Sequence, residues 1–506
     1  MGEERNTIMK KLVGGIVIIL ALAAVGFIGA AYWSGIQAER WYRDSLLAGA
    51  NSSPNIQFTT LRYERGWFSS QAVTRIQIER PKEGETQEAD PSFSLRQDIY
   101  HGPLPLAGRN APEVPMAWGG AVVRATLDSE SSAWTRELAK WYGVQEPLVA
   151  ISRVGFDGAS DTQITMPPLI LSNVGDLQSL NFAGLQGQFQ ASPRGEAVRG
   201  TMRVSSLDLV GQPESADQTL GGGQIKLSEL SLNVNQRKGV FDLLFGESSF
   251  NIAELRVRDP ANDTAWVATG LTLTGTFEPQ DSQQVGGEVV IKAENISMNQ
   301  QSGTGSLRLA LRNLDGPTIM QLQQWQQRSA SQPDDPQALD ELLAFLKTLL
   351  RGKPELVLDT QAKLTEGEWL VRLTLNFQDF DADSLFQDPA GALNALEKGL
   401  AEAAISQNLV ETLLADRVEE ELRAQAGEEA ESGSDQALRS MAEQQATEQL
   451  QGLIAAGFIR LEGGQYRSIA RFEGGRLFVN DQEIPLLPPA GEMGLPGEES
   501  LPLGPQ

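Results

Sequence analysis

Cysteine is absent from this 506-residue chain, and histidine occurs once, at His101. Without thiols there is no disulfide, no thiolate metal site and no cysteine nucleophile, and a single imidazole cannot build a multi-histidine zinc site. A Ser-His-Asp triad would have to use His101, yet the chain holds no G-x-S-x-G elbow, and it also lacks a G-x-x-x-x-G-K-[ST] phosphate loop. Basic side chains are outnumbered, 41 against 66 acidic, and the resulting charge of −25 repels nucleic acid and anionic headgroups. These absences predict no catalytic residue, no cofactor, no metal and no nucleic-acid partner.

Long apolar runs are also scarce, with one exception. No charged side chain lies between Lys11 and Glu39, and Leu12 to Trp33 is almost entirely apolar. At about 1.5 Å per residue such a run makes a helix of roughly 33 Å, enough to cross a hydrocarbon core about 30 Å thick. Arg5, Lys10 and Lys11 precede the run, while Tyr32 and Trp33 close it, so the positive-inside rule puts the N-terminus in the cytoplasm. The alternative is a cleaved secretory signal, for which Gly29 and Ala31 supply small side chains ahead of Tyr32. The run exceeds the roughly 7 to 15 residues of a signal core, which favours the anchor. Both readings export the remainder of the chain.

The expected organisation is a cytoplasmic segment at 1–11, a transmembrane helix at 12–33, an exported β-rich region at 34–315, an exported α+β region with acidic helices at 316–486, and a disordered tail at 487–506. A bacterial inner-membrane, single-pass protein with its bulk in the periplasm is the implied location. Residues 37–50 read as a short juxtamembrane helix carrying Trp41, Tyr42, Leu46 and Leu47.

Beyond it, short runs alternate apolar and polar residues, the signature of half-buried strands. They cover 55–63, 68–78, 93–99, 121–127, 184–191, 200–210, 224–234, 249–257, 270–277, 286–293 and 305–311. Residues 131–142 interrupt with helical spacing. Helical periods return at 318–328 and 336–351, a hairpin follows at 356–377 around Gly367, and 389–456 again reads as helical and acidic. A last hairpin spans 465–479 about Gly474-Gly475. The fold class predicted is mainly β with α insertions: a transmembrane helix, an elongated antiparallel sheet or groove, and helices in the C-terminal half.

Four blocks resemble one family when taken together and in order. They are Tyr63 to Ser70 (YERGWFSS), Ile99 to Pro105 (IYHGPLP), Leu311 to Asp315 (LRNLD) and Phe472 to Asn480 (FEGGRLFVN). The chain resembles the YdgA-like family of bacterial envelope proteins, a domain of unknown function. The resemblance implies an inner-membrane anchor and a large periplasmic region, and it supplies no catalytic residues.

Two of these blocks contain the candidate contact residues. His101, Gly102 and Pro103 read either as a proton-carrying site or as a strand end, with His101 bonded to a neighbouring carbonyl. Arg65, Gly66, Trp67 and Phe68 read either as a contact for lipid headgroups or a partner, or as a turn whose Trp67 and Phe68 join the sheet core; the second reading is the one expected. Asp379 to Asp383 begins like a calcium loop, but Ser384 and Ala390 stand where Gly and Glu are needed. The function expected is non-catalytic: binding of lipid or lipid-linked molecules in an apolar groove, for envelope maintenance. The alternative is a scaffold that oligomerises or docks envelope proteins, and an enzyme ranks last.

Overall fold

The computed structural model describes residues 30–43, 56–78, 92–175, 177–212, 222–259, 264–298, 301–330, parts of 341–349, 352–378, 395–426 and 435–485. Residues 12–29 of the expected span, Leu46 and Leu47, the acidic stretch at Asp379 to Asp383, and the tail from 487 lie outside the described residues. Among the described residues, no helix is long and apolar enough to cross a membrane. The chain is mainly β and antiparallel, and it divides into two compact units, Met1–Gln300 with Gly316–Leu342, and Gln301–Asp315 with Leu343–Gln506.

In the first unit, α1 covers 30–43, and the strands that follow are β1(Ile56–Arg65), β2(Ser69–Ile78), β3(Phe93–His101), β4(Ala121–Leu127), β5(Val149–Val154) and β6(Ser160–Met166). Each pairs with the next. Next come β7(Leu169–Val174), β8(Leu177–Phe182), β9(Leu185–Ala191) and the long β10(Ala197–Gly211) to β14(Gln284–Met298), with β11(Gln224–Lys238), β12(Leu244–Asp259) and β13(Thr264–Pro279) between them. β9 joins β6 to β10, and the hairpin β7–β8 occupies the far half of β10 beyond β9. Helix α2(Ala133–Tyr142) is fixed at its start by a capping box in which Ser132 and Thr135 satisfy each other's backbone amides. α3(Gly316–Ala330) docks through Gly316, whose amide donates to the Gln283 carbonyl at 2.8 Å.

Strict alternation puts one apolar and one polar face on the long strands. Met202, Leu232, Phe250, Leu273 and Ile291 stand opposite one another across β10 to β14. One residue along, the other face presents Arg203, Ser231, Asn251, Thr272 and Lys292. The apolar row is half-buried rather than sealed: Leu273 is 42% exposed and Val289 40%. An open depression of about 640 Å³ on the polar face is lined by Gln188, Arg199, Thr201, Asn233, Asn235 and Ser249 among others. Several of these side chains bond to one another, Arg199 Nε to Asn235 Oδ1 at 3.1 Å and Asn233 Nδ2 to Ser249 Oγ at 3.3 Å.

The second unit repeats the pattern with β15(Gln301–Asp315), β16(Glu355–Leu364), β17(Gly367–Phe377), β18(Leu396–Ser406) and β20(Gln465–Glu473), extended by β19(Arg460–Glu462), β21(Arg476–Val479) and β22(Gln482–Ile484). Leu311, Leu356, Leu375, Gly399 and Phe472 form one row, which joins the third and fourth sequence blocks. The expectation of helix throughout 389–456 fails at β18. LEKGLAEAAIS has strong intrinsic helix propensity, but it fills the sheet position between β17 and β20, and pairing on both sides overrides propensity. Helices α4(Gln407–Ala426) and α5(Asp435–Ala455) then pack on each other, with Ala415, Val418, Ala442, Ala446 and Leu450 buried, while Leu409 is buried beside Gly367 of β17. Arg439 gathers Asp416, Glu419 and Glu443, and these hydrogen bonds raise its pKa further.

The terminal hairpin turns on Asn480 and Asp481, both at positive φ (49° and 70°), the geometry of a two-residue type I′ loop. Asn480 is also a hub: its Nδ2 donates to the carbonyls of Gly457 and Phe458, and its Oδ1 accepts from the Ile469 amide at 3.0 Å. Asn480→Ala removes these bonds and should cost about 2–3 kcal/mol, read as a fall in Tm. Asp481→Gly should leave Tm unchanged or slightly raised, because relief at positive φ, about 1 kcal/mol, offsets loss of an exposed pair with Arg471.

Candidate functional site

The first two sequence blocks meet. β1 ends at Arg65, Gly66 turns the chain with its amide donating to the Ser69 carbonyl at 2.8 Å, and β2 then runs back beside β3, which ends at His101. This register places Ser70 next to His101, with Ser70 Oγ 3.2 Å from Nε2. The other ring nitrogen, Nδ1, lies 3.0 Å from the carbonyl of Ala31, 70 residues away in α1. A carbonyl can only accept, so Nδ1 carries the proton and Nε2 accepts from the serine hydroxyl. The carbonyl that Nδ1 meets belongs to helix α1, and the backbone of Ser69 in the neighbouring strand β2 also bonds the ring.

Small side chains make this approach possible. Ala31, Ser34, Gly35 and Ala38 recur at helical spacing, and all four are buried. A Cβ on Gly35 would stand 2.7 Å from His101 Cε1, and one on Gly102 would stand 3.2 Å from the Ala31 Cβ. Further along, Ala38 packs on Ala72, Ile99 and Ala121, and the Tyr42 hydroxyl reaches Thr74 Oγ1 at 2.8 Å. Helix α1 therefore begins at the turn end of the strands and lies along them. The boundary expected between a span ending at Trp33 and a helix starting at 37 does not appear: 30–43 is one helix, with one face against protein.

Arg65 holds the outer side of α1. Its Nη1 donates to Glu39 Oε2 at 3.2 Å, and its guanidinium sits 5.8 Å from the Tyr32 ring centre, which in turn lies 5.5 Å from that of Trp67. Trp67 and Phe68 do not enter the sheet core. They occupy the tip of the β1–β2 turn, with Trp67 65% exposed. Alternation placed Phe68 in a strand, but the strand ends at Arg65 and resumes at Ser69, so no sheet face receives Trp67 or Phe68.

The chemistry open to this cluster is limited. Ser70 and His101 are only 2% and 1% exposed, and the proton on Nδ1 meets a carbonyl instead of a carboxylate, so the pair lacks both substrate access and the third member of a hydrolytic triad. Burial pushes the His101 pKa below its ordinary value; the Arg65 charge adds to that, and backbone hydrogen bonds oppose it. The ring is neutral at neutral pH and acts as a latch between helix and sheet. Among the described residues, no group of three or more His, Asp or Glu side chains is positioned to hold a metal ion. The helical contacts of Ala31 to Ala38 went unread in the sequence because they sit partly inside the apolar run, although their small-residue spacing is a visible packing signal.

Comparison with known proteins defines the class. Residues 9–487 match the model of a family described as bacterial protein of unknown function (DUF945), and the chain belongs to that family. It is similar to Protein YdgA of Escherichia coli (strain K12), 22% identical over 394 residues that cover 73% of this chain and 76% of the relative. No solved structure matches.

The latch generates two predictions. Below about pH 6.5 the unfolded chain takes up a proton that the buried ring resists, so stability falls as pH drops from 6.5 toward the lowered folded value and is full above it. His101→Gln should flatten that part of the stability–pH curve, read as Tm at pH 5.5 against pH 7.5. Gly35→Ala should cost about 1–3 kcal/mol by driving its methyl into the ring, and should detach α1 as judged by faster amide exchange over 34–42.

Proposed function

We propose that this chain is a single-pass inner-membrane protein whose periplasmic portion binds lipid or lipid-linked molecules through their acyl chains, in a non-catalytic role in envelope maintenance. The observation that carries the reading is the pair of apolar sheet faces left partly open. In the first unit the row from Met202 to Ile291 leaves Leu273 42% exposed; in the second, Leu307, Leu309 and Leu311 of β15 are 37–40% exposed. A water-soluble domain gains by burying such rows, at about 25 cal/mol per Å² of apolar surface, and an alkyl chain laid along them gains the same burial. Anchoring is supported by the uncharged run from Leu12.

A scaffold role is the second reading, supported by Leu413 and Met441, which lie 52% and 58% exposed on the paired acidic helices. The two readings part in one experiment on the full chain in cells. A photoreactive residue at Leu273 should capture phosphate-labelled lipid, whereas one at Thr274, next along β13 and on its other face, should not. Protein adducts at Leu273 in place of lipid would favour the scaffold, and equal lipid capture at both positions would contradict acyl binding on the apolar face.

A further inference from the structure

The exposed aromatic side chains of the first unit are not scattered. Antiparallel pairing aligns Arg65 with Ser70, His101 with Ala121, Ala121 with Val154, and Val154 with Ser160. The β1–β2, β3–β4 and β5–β6 connections therefore all leave the same end of the sheet. Their tips carry Trp67, Trp118 and Phe156, which are 65%, 72% and 43% exposed, together with Leu106 and Met116. Trp118 and Phe156 touch edge to face with ring centres 5.8 Å apart, and Trp67 touches Tyr32. These are rigid contacts between side chains that gain little from each other alone while their outer faces stay in water.

The neighbouring turn is different. The next turn at the same end, between β9 and β10, is Ser192 to Glu196, with Arg194 and Glu196 and no aromatic residue. Exposed aromatic tips thus gather on the three turns beside α1, while Val240 of the β11–β12 turn and Val144 at the opposite end are exposed aliphatic residues outside the cluster. Helix α1 also carries the last residues of the apolar run, which ends at Trp33, and of the uncharged stretch, which ends at Ala38.

We propose that these three turns form a membrane seat. Trp67, Trp118 and Phe156, with Tyr32 and Trp33 of α1, lie at the headgroup boundary of the bilayer that holds 12–29, so that the strands of the first unit stand on the membrane surface. The occupant is a lipid surface because the segment leaving this end is apolar, and because Trp and Tyr are the side chains that favour the interface, with one apolar face and one polar handle. With a chain charge of −25, attraction to anionic lipid cannot supply the binding, so aromatic insertion does. The consequence is a fixed distance between bilayer and sheet, which positions any acyl-binding face near the lipid it draws from. This inference rests on the anchored reading above.

The absence of native cysteine makes the test direct. Single cysteines at Trp118 and Met116, both exposed, and at Val144, which follows α2 at the other end of the strands and is fully exposed, are labelled with an environment-sensitive fluorophore in the full chain. The protein is reconstituted into phosphatidylethanolamine–phosphatidylglycerol vesicles containing a lipid with a nitroxide near its headgroup. Labels at 118 and 116 should be quenched several-fold more than the label at 144, and Trp67→Ser should reduce that ratio. If the protein resists extraction by alkaline carbonate yet labels at 118 and 144 are quenched alike, the seat is wrong and the anchor stands. If carbonate releases the protein, the anchored reading fails and the seat with it. Disulfide crosslinking between copies through position 118 without quenching would replace the bilayer by a second copy and also overturn the seat.

Discussion

The structure depends on one constraint: period-two alternation carried in unbroken register across the long antiparallel strands β10 to β14. Because side chains change face at each residue, Leu273 can share a row with Phe250 and Ile291 only if no strand slips by one. The same rule puts Arg203 and Lys292 on the other face and keeps both faces chemically distinct. No disulfide helps, so ladder bonds and row-to-row contact supply the cohesion. The two faces are therefore the product of the sequence pattern itself, and half-burial of the apolar one follows from having rows of Leu, Ile, Phe and Met that the described fold leaves partly open.

A second constraint acts at one end of the first unit. A buried neutral imidazole ties a helix to two strands, and glycine and alanine clear the space for it. The bonds are individually modest, about 1 kcal/mol each. Their importance is positional, since the helix they hold is the one that continues from the apolar run. His101 is thus best understood through the carbonyl it reaches, not through proton chemistry, and Arg65 through the carboxylate and ring it spans.

Much of this was legible in the sequence, and the failures have physical causes. Long strands such as β10 to β14 announced themselves because each has a wet face and a dry one. β5 to β8 lie inside the strand-patterned region but were not singled out as runs; LILSNV of β7, for example, bunches its apolar residues instead of alternating them. β18 was read as helix because Leu, Ala and Glu favour helices, while its two sheet partners, distant in sequence, decide otherwise. At the candidate site, the residue types in both blocks were visible, but their union depends on the β2–β3 register and on a carbonyl 70 residues away, and neither has a local signature. Exposure of Phe68 was misjudged for a related reason: alternation says which face a residue takes, not where the strand stops.

The central claim is that the apolar sheet faces are open sites filled by acyl chains and not one half of a closed protein core. Hydroxyl-radical footprinting of the full chain reads this directly at Leu273, Val289, Leu307 and Leu309. The account predicts strong modification at these four positions in delipidated protein and protection in native membranes. Equal protection in both states would mean that protein covers the rows, and would contradict the account.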